Sequence, residues 1–479
     1  MVIGNWKLVI RNFLPLAIIL IIASFLRLYN FTELPPGLYP DEAMNGNNAV
    51  EAWENRDWKA FYPENFGREG LFINIQSLSV AAFGKEPWAL RLPNAIFGIL
   101  TVLGLYFFTA ELFKNKNLAL LASFLLATSF WHINFSRIGF RAIMAPFFLT
   151  WALYFLLKSL NANRYTLYAA AGGLLYGLGF HSYIAYRATP LLLAYLFWLL
   201  ASKCEKNQLQ KIIATFSIFT VLAALPLGIY FLKNPADFLG RTAGISIFSS
   251  ETPLQNLGLN ILKTAGMFNI AGDFNWRHNV AGRPLLFWPV GILFLIGIFK
   301  AIRNRSEKNL ILVSWLAVTA LPVIISNEGL PHALRSILMA PPVFILSASG
   351  GLKIHEFLKP KLKPLLLLTS YLLLLSLLIF EAYYTYFISW GENPKVKDAF
   401  AYNDSVIARV LNSLPKETPK YIIVSNTNET IERDNPISLQ SILFLTDTFT
   451  SEKRKVKSFY YLSPEKAKSI PNDNLIYLP

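Results

Sequence analysis

The chain has 479 residues, of which 54% are hydrophobic and 15% charged, and its mean hydropathy is +0.41. This balance excludes an ordinary soluble globule and a disordered chain, and the apolar segments that recur along the sequence indicate a polytopic membrane protein. The net charge of +15 does not indicate nucleic-acid binding, because the basic excess lies in short connections between apolar segments.

Eleven apolar segments are predicted to cross a bilayer as helices. They cover approximately residues 13–29, 91–112, 118–134, 142–160, 165–181, 184–202, 211–232, 284–302, 309–326, 333–351 and 364–387. Lys7 and Arg11 precede the first segment, as in a signal peptide. It nevertheless ends in Arg27 without a small-residue cleavage site, so we interpret it as a retained anchor.

Every second connection between these segments is basic, and the positive-inside rule places such connections in the cytoplasm. The basic residues are Lys7 and Arg11; Lys114 and Lys116; Lys158 and Arg164; Lys203, Lys206 and Lys211; Lys300, Arg303, Arg305 and Lys308; and Lys353, Lys359, Lys361 and Lys363. We therefore expect a multi-pass protein of the plasma membrane with a cytoplasmic N-terminus. The first loop (about 30–90), the second long loop (about 233–283) and the C-terminal region are then extracytoplasmic.

Two domains are predicted, because the apolar spans stop near Ser389. Residues 1–388 form the transmembrane domain, and residues 389–479 form a small extracytoplasmic α/β domain. Its predicted helices are Val396–Leu414 and Ile437–Leu445, and its predicted strands are Tyr421–Ser425, Val456–Leu462 and Leu475–Leu478. In the first loop, Leu71–Phe83 is apolar but too short to span, and one of its faces is polar, which favours a helix lying in the membrane interface.

An acidic pair, Asp41-Glu42, follows the first span within the sequence Tyr39-Pro40-Asp41-Glu42. Carboxylates held at a membrane surface are costly unless they have a task or a partner. The alternative is a solvated turn. A third carboxylate of the same loop, Glu69, precedes the predicted interfacial helix.

Polar residues at the extracytoplasmic ends of the spans form the second set of candidates. The candidate phosphate-binding residues are Arg137, Arg141, Arg187, Arg277 and Arg335, and the candidate substrate-binding residues are His181, Tyr183, Asp273, Trp276, His278 and His332. Arg137 and Arg141 are expected on one helical face, about one turn apart. Arginine suits phosphate because its planar fork donates two parallel hydrogen bonds. Each residue also has a structural interpretation: the arginines can extend to lipid headgroups, and the histidines can form structural hydrogen bonds.

The five histidines are scattered in the sequence, with no HExxH motif and no tight pair, so no dedicated zinc site is predicted. The sequence also lacks the Asp-x-Asp motif by which transferases that expel a diphosphate commonly hold a metal. We expect no cofactor, although a divalent cation stays open.

The chain resembles the GT-C glycosyltransferases, in particular the group of protein O-mannosyltransferases and aminoarabinose transferases. The matching stretches are Leu26–Leu28, Pro40-Asp41-Glu42-Ala43, Gly67-Arg68-Glu69-Gly70-Leu71, Leu90-Arg91-Leu92-Pro93-Asn94 and Ser136-Arg137. The resemblance covers roughly residues 10–390. The chain departs from the family after Glu69, where Gly70 and Leu71 stand in place of the frequent Lys or Pro.

The resemblance implies an α-helical GT-C fold and transfer of a sugar from a polyprenyl-phosphate donor to an acceptor hydroxyl on a protein, lipid or glycan. It also implies that Asp41 is the base, with Glu42 and Glu69 as orienting residues. A single displacement with inversion follows, in which arginines stabilise the departing phosphate. The partners are then membrane lipids, the lipid-linked donor and the acceptor, without nucleic acid.

Two other functions stay open. A transporter or flippase for a polyprenyl-linked or anionic solute would also use external arginines, although the sequence shows neither an internal repeat nor paired broken spans. A membrane scaffold without activity, whose tail binds partners, is the third reading.

Overall fold

The computed structural model describes residues 2–201, 205–244, 246–249, 251–423, 431–432, 435–462 and 475–477. Its helices are α1 (Val2–Leu28), α2 (Pro40–Asn55), α3 (Gly70–Phe83), α4 (Pro87–Phe113), α5 (Lys116–Ala127), α6 (Phe130–Phe135), α7 (Met144–Asn161), α8 (Tyr165–Gly179), α9 (Thr189–Ala201), α10 (Lys206–Lys233), α11 (Pro235–Gly244), α12 (Pro253–Gly266), α13 (Trp288–Arg303), α14 (Glu307–Ile324), α15 (Ala340–Leu358), α16 (Pro364–Tyr383), α17 (Pro394–Ala399), α18 (Tyr402–Ser413), α19 (Gln440–Thr446) and α20 (Ser451–Val456). Its strands are β1 (Phe61–Tyr62), β2 (Arg68–Glu69), β3 (Lys420–Ile423), β4 (Ile431–Glu432), β5 (Asn435–Pro436), β6 (Phe459–Leu462) and β7 (Leu475–Tyr477).

A helix occupies each of the eleven segments predicted to span a membrane. Seven helices of the described chain are long and apolar enough to cross a bilayer: Pro87–Phe113, Arg141–Asn161, Ile184–Ala201, Lys206–Lys233, Glu307–Ile324, Ile337–Leu358 and Pro364–Trp390. The segment predicted as the third span is divided between α5 and α6, because Ser129 adopts an extended backbone conformation and begins α6 as its N-cap residue. The number of eleven spans and their orientation stay predictions.

The chain forms two compact units. Unit 1 contains residues 1–29 and 94–389, and unit 2 contains residues 30–93 and 390–479. The first loop therefore belongs with the C-terminal region, a grouping that the predicted division at residue 388 did not foresee.

Unit 1 is a bundle of helices that approach closely at glycines. A Cβ on Gly297 of α13 would lie 1.9 Å from the carbonyl oxygen of Leu346, and one on Gly350 of α15 would lie 2.0 Å from that of Leu293. Small residues let the backbones of two helices approach this closely. A tight crossing of the same kind joins α8 to α10 at Gly173.

Unit 2 packs α2 against α3 and α19 around a core that includes Leu38, Ala43, Ile73, Leu90 and Phe444. Its sheet has the strand order β6-β3-β7 with both neighbouring pairs parallel, so that Tyr421 lies beside Tyr460 and Leu475.

Most predicted elements of the C-terminal region are present in the described residues. The helix expected over Val396–Leu414 is divided into α17 and α18, because Ala401 between them has a left-handed backbone conformation with φ +48°. The first predicted strand is β3, the second begins at Phe459 as β6, and the third is β7. Residues 424–425 and 478, at the ends of two predicted strands, lie outside the described residues, as does Lys203.

The helix predicted over Leu71–Phe83 is α3, and its polar residues face the interior of unit 2. Gln76 donates a hydrogen bond to the carbonyl of Leu90 (2.8 Å), and Ser79 donates one to the carbonyl of Ala89. Leu78 is exposed on the opposite side. The polar face is thus used for packing, and the placement of α3 in a membrane interface stays a prediction.

Candidate functional site

The acidic pair lies in the first turn of α2. Tyr39 is the N-cap residue and Pro40 the first helical residue, so Asp41 and Glu42 lie at the end of the helix where the peptide dipoles favour negative charge. The backbone N–H of Tyr39 donates to Glu42 Oε2 at 3.3 Å, which satisfies a donor that the helix itself leaves open.

Glu42 is completely buried and is held by Arg91 of α4. Arg91 Nε lies 2.9 Å from Glu42 Oε1, and Arg91 Nη2 lies 2.9 Å from Glu42 Oε2, so the guanidinium binds both carboxylate oxygens. The remaining Arg91 donors reach the carbonyls of Pro35 (2.7 Å) and Gly37 (2.8 Å). The pair therefore fastens the start of α2 to α4 and to the segment that precedes α2.

Asp41 lies in a different environment from its neighbour. It is half-buried, and its Oδ1 accepts a hydrogen bond from Asn65 Nδ2 at 3.0 Å. Asn65 has a left-handed backbone conformation with φ +51°, which asparagine tolerates better than most residues. The turn at Asn65 thus presents a neutral amide to the Asp41 carboxylate.

The third carboxylate, Glu69, is buried at the N-cap position of α3. Its neighbour Arg68 is also buried and donates to Asn45 Oδ1 and Asn48 Oδ1, each at 2.7 Å. β2 pairs with β1 so that Glu69 lies opposite Phe61. The three predicted carboxylates therefore belong to one unit, and Arg68 bonds the strand that carries Glu69 to the helix that carries Asp41.

The expected common helical face of Arg137 and Arg141 is wrong. Helix α6 ends at Phe135, and residues 136–140 form a non-helical turn. Arg137 is completely buried, donates to the carbonyl of Leu26 (3.3 Å) and lies over the rings of Tyr386 and Phe387. Arg141 instead lies over the ring of Tyr183.

Arg187 and Arg335 have different partners within unit 1. Arg187 donates to the carbonyl of Phe238 at 2.8 Å, and its guanidinium lies 4.6 Å from the centre of the Phe238 ring and 4.9 Å from that of Phe231. Arg335 is buried and forms an ion pair with the exposed carboxylate of Glu328. A phosphate at Arg335 would therefore compete with Glu328, whereas these contacts of Arg187 are to neutral groups.

Three of the candidate substrate-binding residues come together in unit 1. The buried carboxylate of Asp273 accepts from His278 Nδ1 (2.9 Å), and His332 Nδ1 lies 3.9 Å from the same oxygen. The rings of His278 and His332 are 5.0 Å apart between centroids. His278 and His332, 54 positions apart in the sequence, thus come together beside Asp273. The sequence contains no local motif from which this cluster could have been predicted.

Arg277 lies on the same loop as Asp273. Burial lowers the pKa of Arg277 to about 10, and its Nε lies 3.3 Å from Asn275 Oδ1. Asn134 of α6 donates to the Arg277 carbonyl at 2.7 Å. The loop is therefore anchored to α6 at Arg277, while Trp276 beside it is half-buried.

His181 and Tyr183 have structural contacts. His181 is buried, and its Nε2 lies 2.9 Å from the carbonyl oxygen of Ala223 in α10. Tyr183 is buried beneath Arg141. These contacts join the turn after α8 to neighbouring elements of unit 1.

Sequence reasoning missed three buried arginines that organise these segments. Arg91 and Arg68 were seen only as parts of matching stretches, and Arg27 only as the end of the first span. Arg27 donates to the carbonyls of Ala23 and Ala127 (each 3.1 Å) and contacts His132 Nδ1 (2.8 Å) and Ser136 Oγ (3.2 Å). An arginine next to an apolar segment could have indicated a buried hydrogen-bonding centre, because a buried charge needs several partners.

The profile of the family described as dolichyl-phosphate-mannose-protein mannosyltransferase matches residues 71–230. YkcB from Bacillus subtilis (strain 168), a protein with a provisional assignment as a mannosyltransferase, is 26% identical over 223 residues. That match covers 44% of this chain and 29% of YkcB, so it spans less than a third of the relative.

Solved structures match over nearly the whole chain. ArnT from Cupriavidus metallidurans, bound to undecaprenyl phosphate, aligns with a TM-score of 0.60 at 14% identity, over 99% of this chain and 93% of ArnT. The archaeal oligosaccharyltransferase AglB from Archaeoglobus fulgidus, in complex with an inhibitory peptide and a dolichol-phosphate, aligns with a TM-score of 0.56 at 15% identity, over 92% of this chain and 64% of AglB. This chain has the GT-C fold. The predicted resemblance to GT-C glycosyltransferases is confirmed, and this chain is a multi-pass membrane protein.

Proposed function

We propose that the chain is an integral-membrane glycosyltransferase that moves a hexose or pentose from a polyprenyl-phosphate donor to an acceptor hydroxyl. The reaction takes place on the extracytoplasmic side of the plasma membrane, with the N-terminus in the cytoplasm. The match to the mannosyltransferase family supports this class of reaction, and ArnT and AglB were both solved with a polyprenyl phosphate. A protein, lipid or glycan can supply the hydroxyl.

The observation that carries the proposal is the different surroundings of Asp41 and Glu42. Both oxygens of Glu42 are occupied by Arg91, so this residue holds the start of α2 in place. Asp41 is half-buried beside Asn65, on the same turn of helix that Glu42 fixes. The first-loop base is therefore assigned to Asp41, with Glu42 as a positioning residue and Glu69 orienting Asp41 or the acceptor.

The proposed step is a single displacement with inversion. The acceptor oxygen forms a bond to C1 of the sugar while the bond from C1 to the phosphate oxygen breaks, and the acceptor proton passes to the Asp41 carboxylate. The lipid monophosphate leaves with the bonding electron pair. The negative charge that develops on this phosphate can be stabilised by preorganised positive groups, and the step consumes no further reactant.

Arginines of unit 1 are proposed to bind that phosphate without a metal. Arg187 is the first choice, because its side chain is half-buried, whereas that of Arg335 is buried. Arg335 comes second, since phosphate would have to displace Glu328 from it. Arg137, Arg141 and Arg277 are the other candidates. Arg187→Gln is expected to lower turnover about 10²–10³-fold, and Arg187→Lys to restore part of it.

The test is transfer from a panel of polyprenyl-phosphate hexoses and pentoses, with mannose first, by purified protein in lipid nanodiscs. Wild type should turn over at least one donor, while Asp41→Asn should lose most turnover and keep donor binding. Asp57→Asn is the matched control, because Asp57 lies in the same loop with an exposed side chain and pairs only loosely with Lys59 at 3.6 Å.

Full turnover in Asp41→Asn would remove the assignment of the base. Binding of every donor without transfer by wild type, for any acceptor class supplied, would instead favour a transporter or flippase. Equal loss in Asp57→Asn would show that the assay reports the folding of the loop rather than its chemistry.

A further inference from the structure

The cluster of Asp273, His278 and His332 has the composition and spacing of a metal site. We propose that these three residues bind a divalent cation of the zinc class. Their candidate ligand atoms all lie within 4.8 Å of one another. The site lies wholly within unit 1, and the inference goes beyond the proposed transfer reaction, which needs no metal at the phosphate.

The two separations from Asp273 to the histidines are close to those that zinc requires. Bonds of about 2.0–2.2 Å from zinc to histidine nitrogen and carboxylate oxygen place the ligand atoms of a tetrahedral site about 3.3 Å apart. Asp273 Oδ2 lies 2.9 Å from His278 Nδ1 and 3.9 Å from His332 Nδ1. Each of these separations differs from the tetrahedral value by about half an ångström, which rotation of the two rings can supply.

The chemistry of the ligand set also suits the ion. Two imidazoles and one carboxylate are an N and O donor set typical of zinc sites with three protein ligands. The backbone N–H of Arg335 lies 3.4 Å from His332 Nδ1, a long contact that a metal bond would replace. Asp273 and His278 are both buried, so the ion would lie out of bulk water.

Surrounding contacts hold the carboxylate in place before any ion binds. Asp273 Oδ1 accepts from the backbone N–H of Asn275 (2.8 Å), and Oδ2 accepts from that of Ala333 (2.8 Å). Asn279 Nδ2 bonds the Asp273 carbonyl (3.2 Å), and Trp131 Nε1 donates to the Ala333 carbonyl (2.9 Å). Outer contacts of this kind orient metal ligands and are part of a working site.

The ion would join two separate segments of unit 1. Asp273 and His278 belong to the loop before α13, and His332 belongs to the turn before α15. Three protein ligands leave a fourth position of the tetrahedron for water or for an oxygen of a substrate. The metal thus fixes the loop that also carries Arg277 and Trp276.

The test measures metal rather than activity, so it can fail independently of the proposed transfer. Untagged protein in nanodiscs is stripped with a chelator, dialysed against Zn²⁺ and analysed for zinc per chain by mass spectrometry. Wild type should retain one zinc, and Co²⁺ should give the visible absorption of a tetrahedral site. His355→Gln is the matched control, because its ring contacts Tyr371 elsewhere in unit 1 and should leave the zinc content unchanged.

Three variants distinguish ligation from folding. Asp273→Asn, His278→Gln and His332→Gln should each weaken zinc binding at least about 100-fold. His332→Gln is decisive, because it leaves the Asp273 to His278 hydrogen bond intact, and hydrogen exchange of residues 272–283 without metal should match wild type. Wild type that retains no zinc, or His332→Gln that retains one zinc per chain, would overturn the proposal.

Discussion

Replacing Glu42 by alanine should loosen the start of α2, because it leaves the Arg91 guanidinium buried without its carboxylate. Both side chains are almost fully inaccessible, and two charge-assisted hydrogen bonds of 2.9 Å join them. Arg91 would keep its hydrogen bonds to the carbonyls of Pro35 and Gly37 and its contact with the Phe400 ring, all of them neutral groups. The backbone N–H of Tyr39 would also lose its hydrogen bond to Glu42.

The expected cost is about 3–5 kcal/mol, the usual result of removing one partner of a buried ion pair. This cost corresponds to an opening equilibrium of α2 that is about two to four orders of magnitude more favourable. The exposed pair of Asp57 with Lys59 is the comparison, and Asp57→Asn should cost less than about 1 kcal/mol.

Hydrogen exchange measured by mass spectrometry on residues 40–55 of the nanodisc-bound protein reads this equilibrium directly. The double variant Glu42→Leu with Arg91→Met should recover most of the protection, because a buried pair replaced by apolar groups leaves no unpaired charge. Exchange unchanged in Glu42→Ala, or a double variant no better protected than Glu42→Ala, would refute the reasoning.

Two further predictions concern other parts of the chain. Burial raises the pKa of Asp404 to about 6, above its ordinary value of 3.8, so the folded state holds this proton more tightly and loses stability as pH rises from 3.8 to about 6. Asp404→Asn should therefore stabilise α18 against hydrogen exchange at pH 7.5 but not at pH 3.5. Equal effects at both pH values would show that the buried charge of Asp404 is not the cause. Gly297→Ala should destabilise unit 1 by about 1–3 kcal/mol, because its Cβ meets the Leu346 carbonyl, whereas Gly228→Ala has open space and should be neutral in thermal unfolding.

Helix positions were largely predictable, because long apolar runs have few alternatives in a membrane. A helix occupies every predicted span, and the C-terminal strands follow from short apolar runs between turn residues. The break at Ser129 was not foreseen, since serine within an apolar run can either continue a helix or begin a new one. Hydropathy does not distinguish these outcomes.

The site was harder to predict because its partners are distant in sequence. Asp41 and Glu42 are adjacent in sequence, yet Arg91 binds Glu42 from 49 residues away, and this contact separates their roles. His278 and His332 are likewise united only by the fold. Sequence patterns identify residues whose side chains are suited to catalysis or binding. Contacts between residues distant in the sequence determine which of these side chains have a structural role instead.

Unit 2 contains residues from both ends of the chain, and this has a consequence for biosynthesis. Ser441 of α19 donates to the carbonyl of Leu38 across 403 positions, and Asn47 of α2 reaches Gln440 across 393. The ribosome therefore completes nearly the entire bundle before α19, which packs on α2 of the first loop, is synthesised. A nascent or truncated chain carries Asp41 without the helix that supports α2, so assembly of this loop is among the last steps of maturation.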